Sequence, residues 1–361
     1  MHVFDSEDPI DAVITWVDGG DPTHRALRES YLRRQTSPLC ENASNPHRWG
    51  ADDEIFFCLH SINLHAPWIR TIWLVVDGEG PDPARLSPAI RAKLRLVRHH
   101  EIFAGFEHVL PTFNSLAIES MLWRIEGLSN RFLYFNDDVF LTAPLHPSDM
   151  FEGNAPVLRG KRRNYERVVT QADRRAHPAR FNQVMHANAA GLLGHAPDQI
   201  FAAAHVVHPL RRSVMARLFV EHRQAFLDNI RHRFRDLGQF LPQALHNHRL
   251  IETGEVRFAV TRDHVHVKSG TSGAKAAKRL SPEGMRDAKF LCVNDLPQLE
   301  AALPDARLRL AQAVAGPSQV AQGDAFERVK EPLRILSGQR HMVDGIGLRQ
   351  YGGKVALGLR P

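Results

Sequence analysis

The sequence predicts an α/β fold in which a mostly parallel sheet is flanked by helices, and three observations predict it. Residues 10–18 (IDAVITWVD), 72–77 (IWLVVD) and 132–138 (FLYFNDD) are β-rich apolar runs that each stop at an acid. Each run is continuously apolar, as strands covered on both faces are, where a half-exposed strand would alternate. Helical spacing falls between the runs, so strand, helix, strand, helix, strand follows the order of βαβ units.

Each element has a local cause. Gly19-Gly20-Asp21-Pro22 is turn chemistry after the first strand, and residues 23–34 form a polar helix. Residues 36–48, with two prolines and several small polar side chains, read as a surface loop. Asp52 or Asp53 caps a helix through about Leu64, its apolar Ile55, Phe56, Leu59 and Ile62 at helical spacing, and Pro67 ends it. The second strand follows, then a loop over 79–88 and a short strand over 94–97. Residues 112–124 (TFNSLAIESMLWR) predict a helix started by Asn114 and Ser115, which delivers the chain to the third long strand.

Beyond Pro144 the character changes. Met215, Leu218, Phe219, His222, Phe226 and Ile230 recur at three- and four-residue steps and predict one amphipathic helix over 211–235, with another over 239–250. From Gly338 the chain is glycine-rich and weakly periodic, a loosely held tail. The expected organisation is an α/β region over 8–150, a helical and basic region over 151–300 that completes the site, and a partly flexible extension over 301–361.

Composition narrows the class. With 361 residues, 43% hydrophobic and 24% charged, the chain has enough apolar content for a substantial core. No basic patch followed by an apolar core opens the sequence, and no apolar run approaches the ~20 residues that span a bilayer, so a cytoplasmic protein is expected. Three scattered cysteines, Cys40, Cys58 and Cys292, suit neither a disulfide framework nor a CxxC metal site. A net charge of +6 and a pI near 9.5 call for an anionic partner. Basic residues concentrate over 159–180 and 205–235. Nucleic acid is set aside, because no recognised binding signature is present and Phe219 and Phe226 fall on the apolar face of their helix.

Ligands of open α/β sheets sit beyond the strands' carboxyl ends, so Asp18, Asp77, Asp137 and Asp138 are expected to line one crevice. Paired carboxylates at a strand end suit Mg²⁺, which is completed by substrate phosphates and waters. The close histidine pairs, His205 with His208 and His264 with His266, lack HExxH or an accompanying cysteine motif and are not read as a zinc site. His205 is singled out as a general base because it precedes a break at Pro209 and lies upstream of basic residues. There is no GxxxxGK[ST] and no GxGxxG after a strand, which removes the ATPase and dinucleotide readings.

These residues resemble a known family. Residues 10–22 (IDAVITWVDGGDP) resemble the first conserved block of the Stealth proteins, and Asp53-Glu54 through Ser61-Ile62 to Ala66-Pro67-Trp68-Ile69-Arg70 and Asp77-Gly78 resemble the second. Residues 111–119 (PTFNSLAIE) with 133–141 (LYFNDDVFL) look like the third, and 290–295 (FLCVND) like the fourth. The resemblance implies a fold similar to GT-A nucleotide-sugar transferases and a sugar-1-phosphate transferase that uses Mg²⁺ or Mn²⁺. Its implied donor is a UDP-sugar, its acceptor a growing polysaccharide or oligosaccharide, and its leaving group UMP. By the same resemblance Trp16, Val17, Asp18 and Gly19 hold the nucleotide, with Asp77 nearby, and Asn114, Ser115 and Glu119 border the donor. His205 and Arg235 take the later active-site positions, with His208 and Arg233 as alternatives, and Asp137, Asp138 and Asp295 hold the metal. The second block often carries Arg where His60 stands here. The rival expectations are a metal-dependent glycosyltransferase that releases UDP and a non-catalytic nucleotide-sugar-binding subunit. For the basic surface, an anionic polymer and the inner membrane face both remain open.

Overall fold

In a computed structural model, which describes residues 8–36, 39–44 and 53–315, the three apolar runs become neighbouring strands of one sheet. The strands β1 (Ile10–Thr15), β2 (Ile72–Val76), β3 (Leu94–Arg98) and β4 (Arg131–Asn136) are parallel, and the strand His208–Arg211 joins β4 antiparallel at one edge. The order is therefore His208–Arg211, β4, β1, β2, β3. Register pairs Ile14 with both Leu74 and Phe135, so side chains of equal parity share a face. Ala12, Ile14, Leu74, Val76, Leu133 and Phe135 enter one core, while Val13, Val75, Phe132 and Tyr134 enter the opposite one. Two buried faces are the physical reason the runs are continuously apolar.

Helices cover both faces. The helix Glu54–His65 sends Ile55, Phe57, Leu59 and Ile62 into the first core, and the helix Ser115–Glu119 sends Leu116 and Ala117 into the second. Asp53 does not cap the former through its side chain: its backbone is left-handed (φ 65°), and its carboxylate instead meets Arg85 at 2.7 Å. Asp52 and the tail from Gly338 lie outside the described residues.

Two predicted helices are shorter than expected. The one over 112–124 is α-helical only at Ser115–Glu119, followed by a 3₁₀ turn at Leu122–Arg124. Ser120 explains the stop, because its buried hydroxyl donates back to the Leu116 carbonyl at 2.8 Å while accepting from Asn229 at 2.8 Å. The helix over 211–235 divides into Arg212–Glu221 and Arg223–Ile230 at His222, whose backbone is non-helical (φ −115°, ψ 37°). The break brings Phe219 and Phe226 ring centroids to 5.4 Å, and Phe226 to 5.1 Å from Phe240. Tertiary aromatic packing overrides the local period there.

The second half supplies helices and also strands. After β4 the chain turns at Asp137-Asp138 into β5 (Val139–Leu141), which belongs to a different sheet. That sheet has the order His264–Val267, Phe290–Val293, β5, with its first pair parallel and its second antiparallel. The two acids thus form the joint between sheets. No helix among the described residues is long and apolar enough to cross a membrane.

Candidate active site

The carboxyl edge of the main sheet gathers most of the residues singled out in the sequence. Asp137 and Asp138 are half-buried at the turn that leaves β4. Burial first, then the like charges of Asp138 and Glu54, push the Asp137 carboxyl well above its usual range. Two acids so placed repel each other until a cation or a proton intervenes.

His205 reaches this edge by topology. Because His208–Arg211 runs antiparallel to β4, with His208 opposite Tyr134, the segment that leads into it lies at the end where β4 finishes. His208 itself is buried in the sheet, its ring 6.5 Å from that of Tyr134, whereas His205 is exposed in the preceding turn. Desolvation by the surrounding protein, then the neighbouring His266 and His186, hold His205 below the ordinary histidine range. His205, unlike His208, presents its imidazole to solvent.

Arg235 comes from the loop after the helix Arg223–Ile230. Its Nη2 donates to Ser115 Oγ at 2.8 Å, and it lies within electrostatic reach of Glu119, Tyr134 and Asp138. Arg233 is used otherwise, donating to the carbonyls of His108 at 3.1 Å and Leu110 at 3.3 Å. Glu119 is buried at 6% exposure, and desolvation raises its carboxyl to about 7 although Arg235, Tyr134 and Ser115 pull it down.

On the nucleotide side, Trp16 and Val17 are half-buried, Gly19 is buried and Asp18 is exposed, its Oδ1 accepting from the Gly20 N–H at 2.8 Å. Asp77 sits between two histidines that the sequence reading missed. His24 Nδ1 lies 3.1 Å from its Oδ2 and His99 Nδ1 3.3 Å from its Oδ1. Burial alone would raise Asp77, but those contacts hold it below the usual carboxylate range. Asn114, expected to border the donor, is buried and bonded within the protein: its amide donates to His232 O at 2.8 Å and Gln239 Oε1 at 2.9 Å, and its carbonyl caps Leu116. Arg159 leaves the expected basic surface in the same way, being buried against Asp263 at 2.8 Å. Other members of that basic run, Arg163, Arg167, Arg174 and Arg180, wall a surface cavity of about 710 Å³ with Tyr165.

The fourth motif contributes through a neighbour of the expected ligand. Asn294 Nδ2 donates to Asp138 Oδ2 at 2.6 Å, whereas the Asp295 carboxylate accepts from Ser269 Oγ at 3.2 Å and caps the next helix at Gln298 N. Asn294 Oδ1 in turn lies 2.6 Å from His266 Nε2. His266 stands opposite Cys292 in the parallel register of its sheet, and its ring centroid is 4.4 Å from that of His205. Among the described residues, the one trio of His, Cys, Asp or Glu side chains whose ligand atoms all lie within 4.8 Å of one another is His205, His266 and Cys292. Asp137, Asp138 and Asp295 form no such trio.

The chain matches the family models of Stealth conserved region 1 over residues 8–36 and conserved region 2 over residues 48–157. The motif over 111–141, expected as a third block, therefore falls inside the second region. Exopolysaccharide phosphotransferase SCO2594 of Streptomyces coelicolor is 34% identical over 310 residues, covering 82% of this chain and 48% of that protein. Exopolysaccharide phosphotransferase CpsY of Mycobacterium tuberculosis is 31% identical over 311 residues, covering 83% and 55% respectively. Capsular polysaccharide phosphotransferase of Neisseria meningitidis serogroup B is 37% identical over 151 residues, covering 40% and 38%. The chain spans about half the length of the curated relatives it matches. Among solved structures, galactosyltransferase LgtC in complex with donor and acceptor sugar analogues is similar over 79% of this chain and 87% of its own, at 15% identity and a TM-score of 0.40.

Proposed function

This chain belongs to the Stealth family, and we propose that it transfers hexose-1-phosphate from a UDP-hexose or UDP-N-acetylhexosamine to a sugar hydroxyl in capsular or exopolysaccharide synthesis, releasing UMP. The observation that carries this reading is the antiparallel edge strand, which sets His205 at the same sheet edge as Asp137 and Asp138. Relatives named for polysaccharide phosphotransfer support it.

The acceptor oxygen attacks the phosphorus that carries the hexose. A new P–O bond forms, the bridging P–O bond to the nucleotide breaks, and the sugar C1–O bond stays intact. His205, whose exposed imidazole stands at the sheet edge beside the two acids, accepts the acceptor's hydroxyl proton. Arg235, steadied by Ser115, meets the phosphoryl oxygens. The mutual repulsion of Asp137 and Asp138 suits a hard divalent cation, and these two carboxylates would hold Mg²⁺ or Mn²⁺. When bound, that ion neutralises charge gathering on the leaving nucleotide. Asn294 fixes Asp138 through its 2.6 Å hydrogen bond and so orients one of the two carboxylates.

The test incubates the protein with UDP-glucose or UDP-GlcNAc, Mg²⁺ and an oligosaccharide acceptor, and identifies the nucleotide released. UMP is expected; UDP would reassign the enzyme to glycosyl transfer, and donor binding without any nucleotide release would favour a binding subunit. His205→Ala should reduce turnover by at least about 100-fold with donor affinity retained. Asp138→Ala should lose activity and metal dependence together, and a variant that still responds to Mg²⁺ would refute the assigned metal site.

A further inference from the structure

We propose that His205, His266 and Cys292 form a second, chemically different cation site that takes a borderline-soft metal of the Zn²⁺ class, and that its occupation silences the transferase by engaging His205. Two nitrogens and one sulfur are the donors such metals prefer, while Mg²⁺ prefers oxygen. The sheet builds the site. His266 and Cys292 are partners in adjacent parallel strands and so project from one face, and His205 arrives from the turn before the edge strand, its ring 4.4 Å from that of His266. The three ligand atoms lie within 4.8 Å of one another. Tetrahedral zinc, with bonds of about 2.0–2.3 Å, needs them roughly 3.5 Å apart, so binding draws the three side chains together by up to about 1 Å.

The surrounding hydrogen bonds prepare the ligands. The Asp138 carboxylate accepts from the Asn294 amide nitrogen, which turns the Asn294 carbonyl oxygen toward His266 Nε2. His266 Nε2 therefore carries the proton and its Nδ1 keeps the lone pair, the arrangement by which a second polar group orients a metal-binding imidazole. Cys292 is buried at 1% exposure and His205 is exposed, so the trio is reached from the His205 side. His205 cannot give its lone pair to a metal and accept a proton with it, so the same ion that binds here blocks proton transfer. The binding half of the inference stands on geometry alone; the silencing half rests on the proposed role of His205.

The experiment separates the two. Tag-free full-length protein, stripped of metal and supplied with excess Mg²⁺, is titrated with Co²⁺ as a spectroscopic probe. One equivalent should give an intense tetrahedral visible spectrum and a sulfur-to-cobalt charge-transfer band in the near ultraviolet. Zn²⁺ should displace it. Cys292→Ser should lose the charge-transfer band, and His266→Ala should weaken binding at least tenfold, with circular dichroism checking the fold and Cys292→Ala as the alternative variant. In the nucleotide-release assay, stoichiometric Zn²⁺ should suppress turnover at least tenfold in the native chain, while Cys292→Ser keeps its basal rate and resists zinc. Absence of the sulfur band, or its persistence in Cys292→Ser, overturns the site. A zinc-loaded protein that turns over normally overturns the silencing, and failure of the donor chemistry itself appears as no nucleotide release with the cobalt spectrum intact.

Discussion

Glu119 shows how a single residue carries two demands at once. It lies beside Arg235 at the site, yet burial raises its carboxyl to about 7 from 4.5. In the unfolded chain the group ionises near its ordinary value, so from about pH 4.5 to 7 the unfolded state releases a proton that the folded state keeps. Its effect is absent below about pH 4.5 and destabilises progressively as pH rises toward 7, by an amount on the order of 3 kcal/mol at full extent. Glu119→Gln, which stays neutral, should therefore gain stability relative to the native chain between pH 5 and pH 8. Urea midpoints at the two pH values measure it, and equal differences at both would remove the raised carboxyl from the account. The placement of Asp137 and Asp138 at the end of β4, and of His205 just before the edge strand, was legible because acids that end an apolar run, and a histidine before a proline break, are local signals. Asn114 and Asp77 show the limit of that signal: their partners His232, Gln239, His24 and His99 are distant in sequence, so nothing local announced these bonds.

At the scale of elements, the two ends of the main sheet divide labour. The carboxyl end gathers the candidate site residues, and the amino end carries Asp11, a fully buried acid in β1 that the sequence reading did not assign. It accepts from Arg70 Nε at 2.8 Å, Arg70 Nη2 at 2.6 Å, Trp73 Nε1 at 3.0 Å and Ser129 N at 2.9 Å, and so pins β1, β2 and the entry to β4 together. Asp11→Asn keeps the volume but replaces an acceptor by an amide that must place donors against donors. A loss on the order of 2 kcal/mol is expected, read as a lower urea midpoint, with nucleotide release per folded molecule unchanged. A fall in turnover at full folding would contradict the division of labour. The strands themselves were legible because burial on both faces leaves no polar alternation to blur them. The helix ends were less so, since the Ser120 back-bond and the Phe219, Phe226 and Phe240 cluster act across elements. The pairing of His266 with Cys292 was invisible for the same reason, because it depends on strand register.

Across the whole molecule, the abundance of histidine has a consequence beyond the site. The second half meets the first along the edge strand, and buried imidazoles lie on that strand and on the helix Pro242–Glu252, which is bonded to it through His246. His208, His246 and His248 are buried at 7%, 0% and 2% exposure. Desolvation, the main cause in each, lowers them to about 3, 4 and 4 from 6.5. His246 Nε2 accepts the Arg211 N–H at 3.0 Å, so its protonation removes a bond that holds the edge strand. Because the folded values are depressed, this stability is present above pH 6.5 and is lost as pH falls through the range toward 4 and 3. Three protons taken up by the unfolded chain alone give a slope of up to about 4 kcal/mol per pH unit, against one opposing proton from Glu119 above pH 4.5. The chain should therefore be acid-labile, with its urea midpoint falling steeply between pH 6.5 and 4.5. His246→Gln, which keeps an acceptor but cannot take up a proton, should flatten the slope by about one proton's share. A midpoint that stays level across that interval would mean that these imidazoles are solvated, and that the two halves are joined by something other than the buried seam.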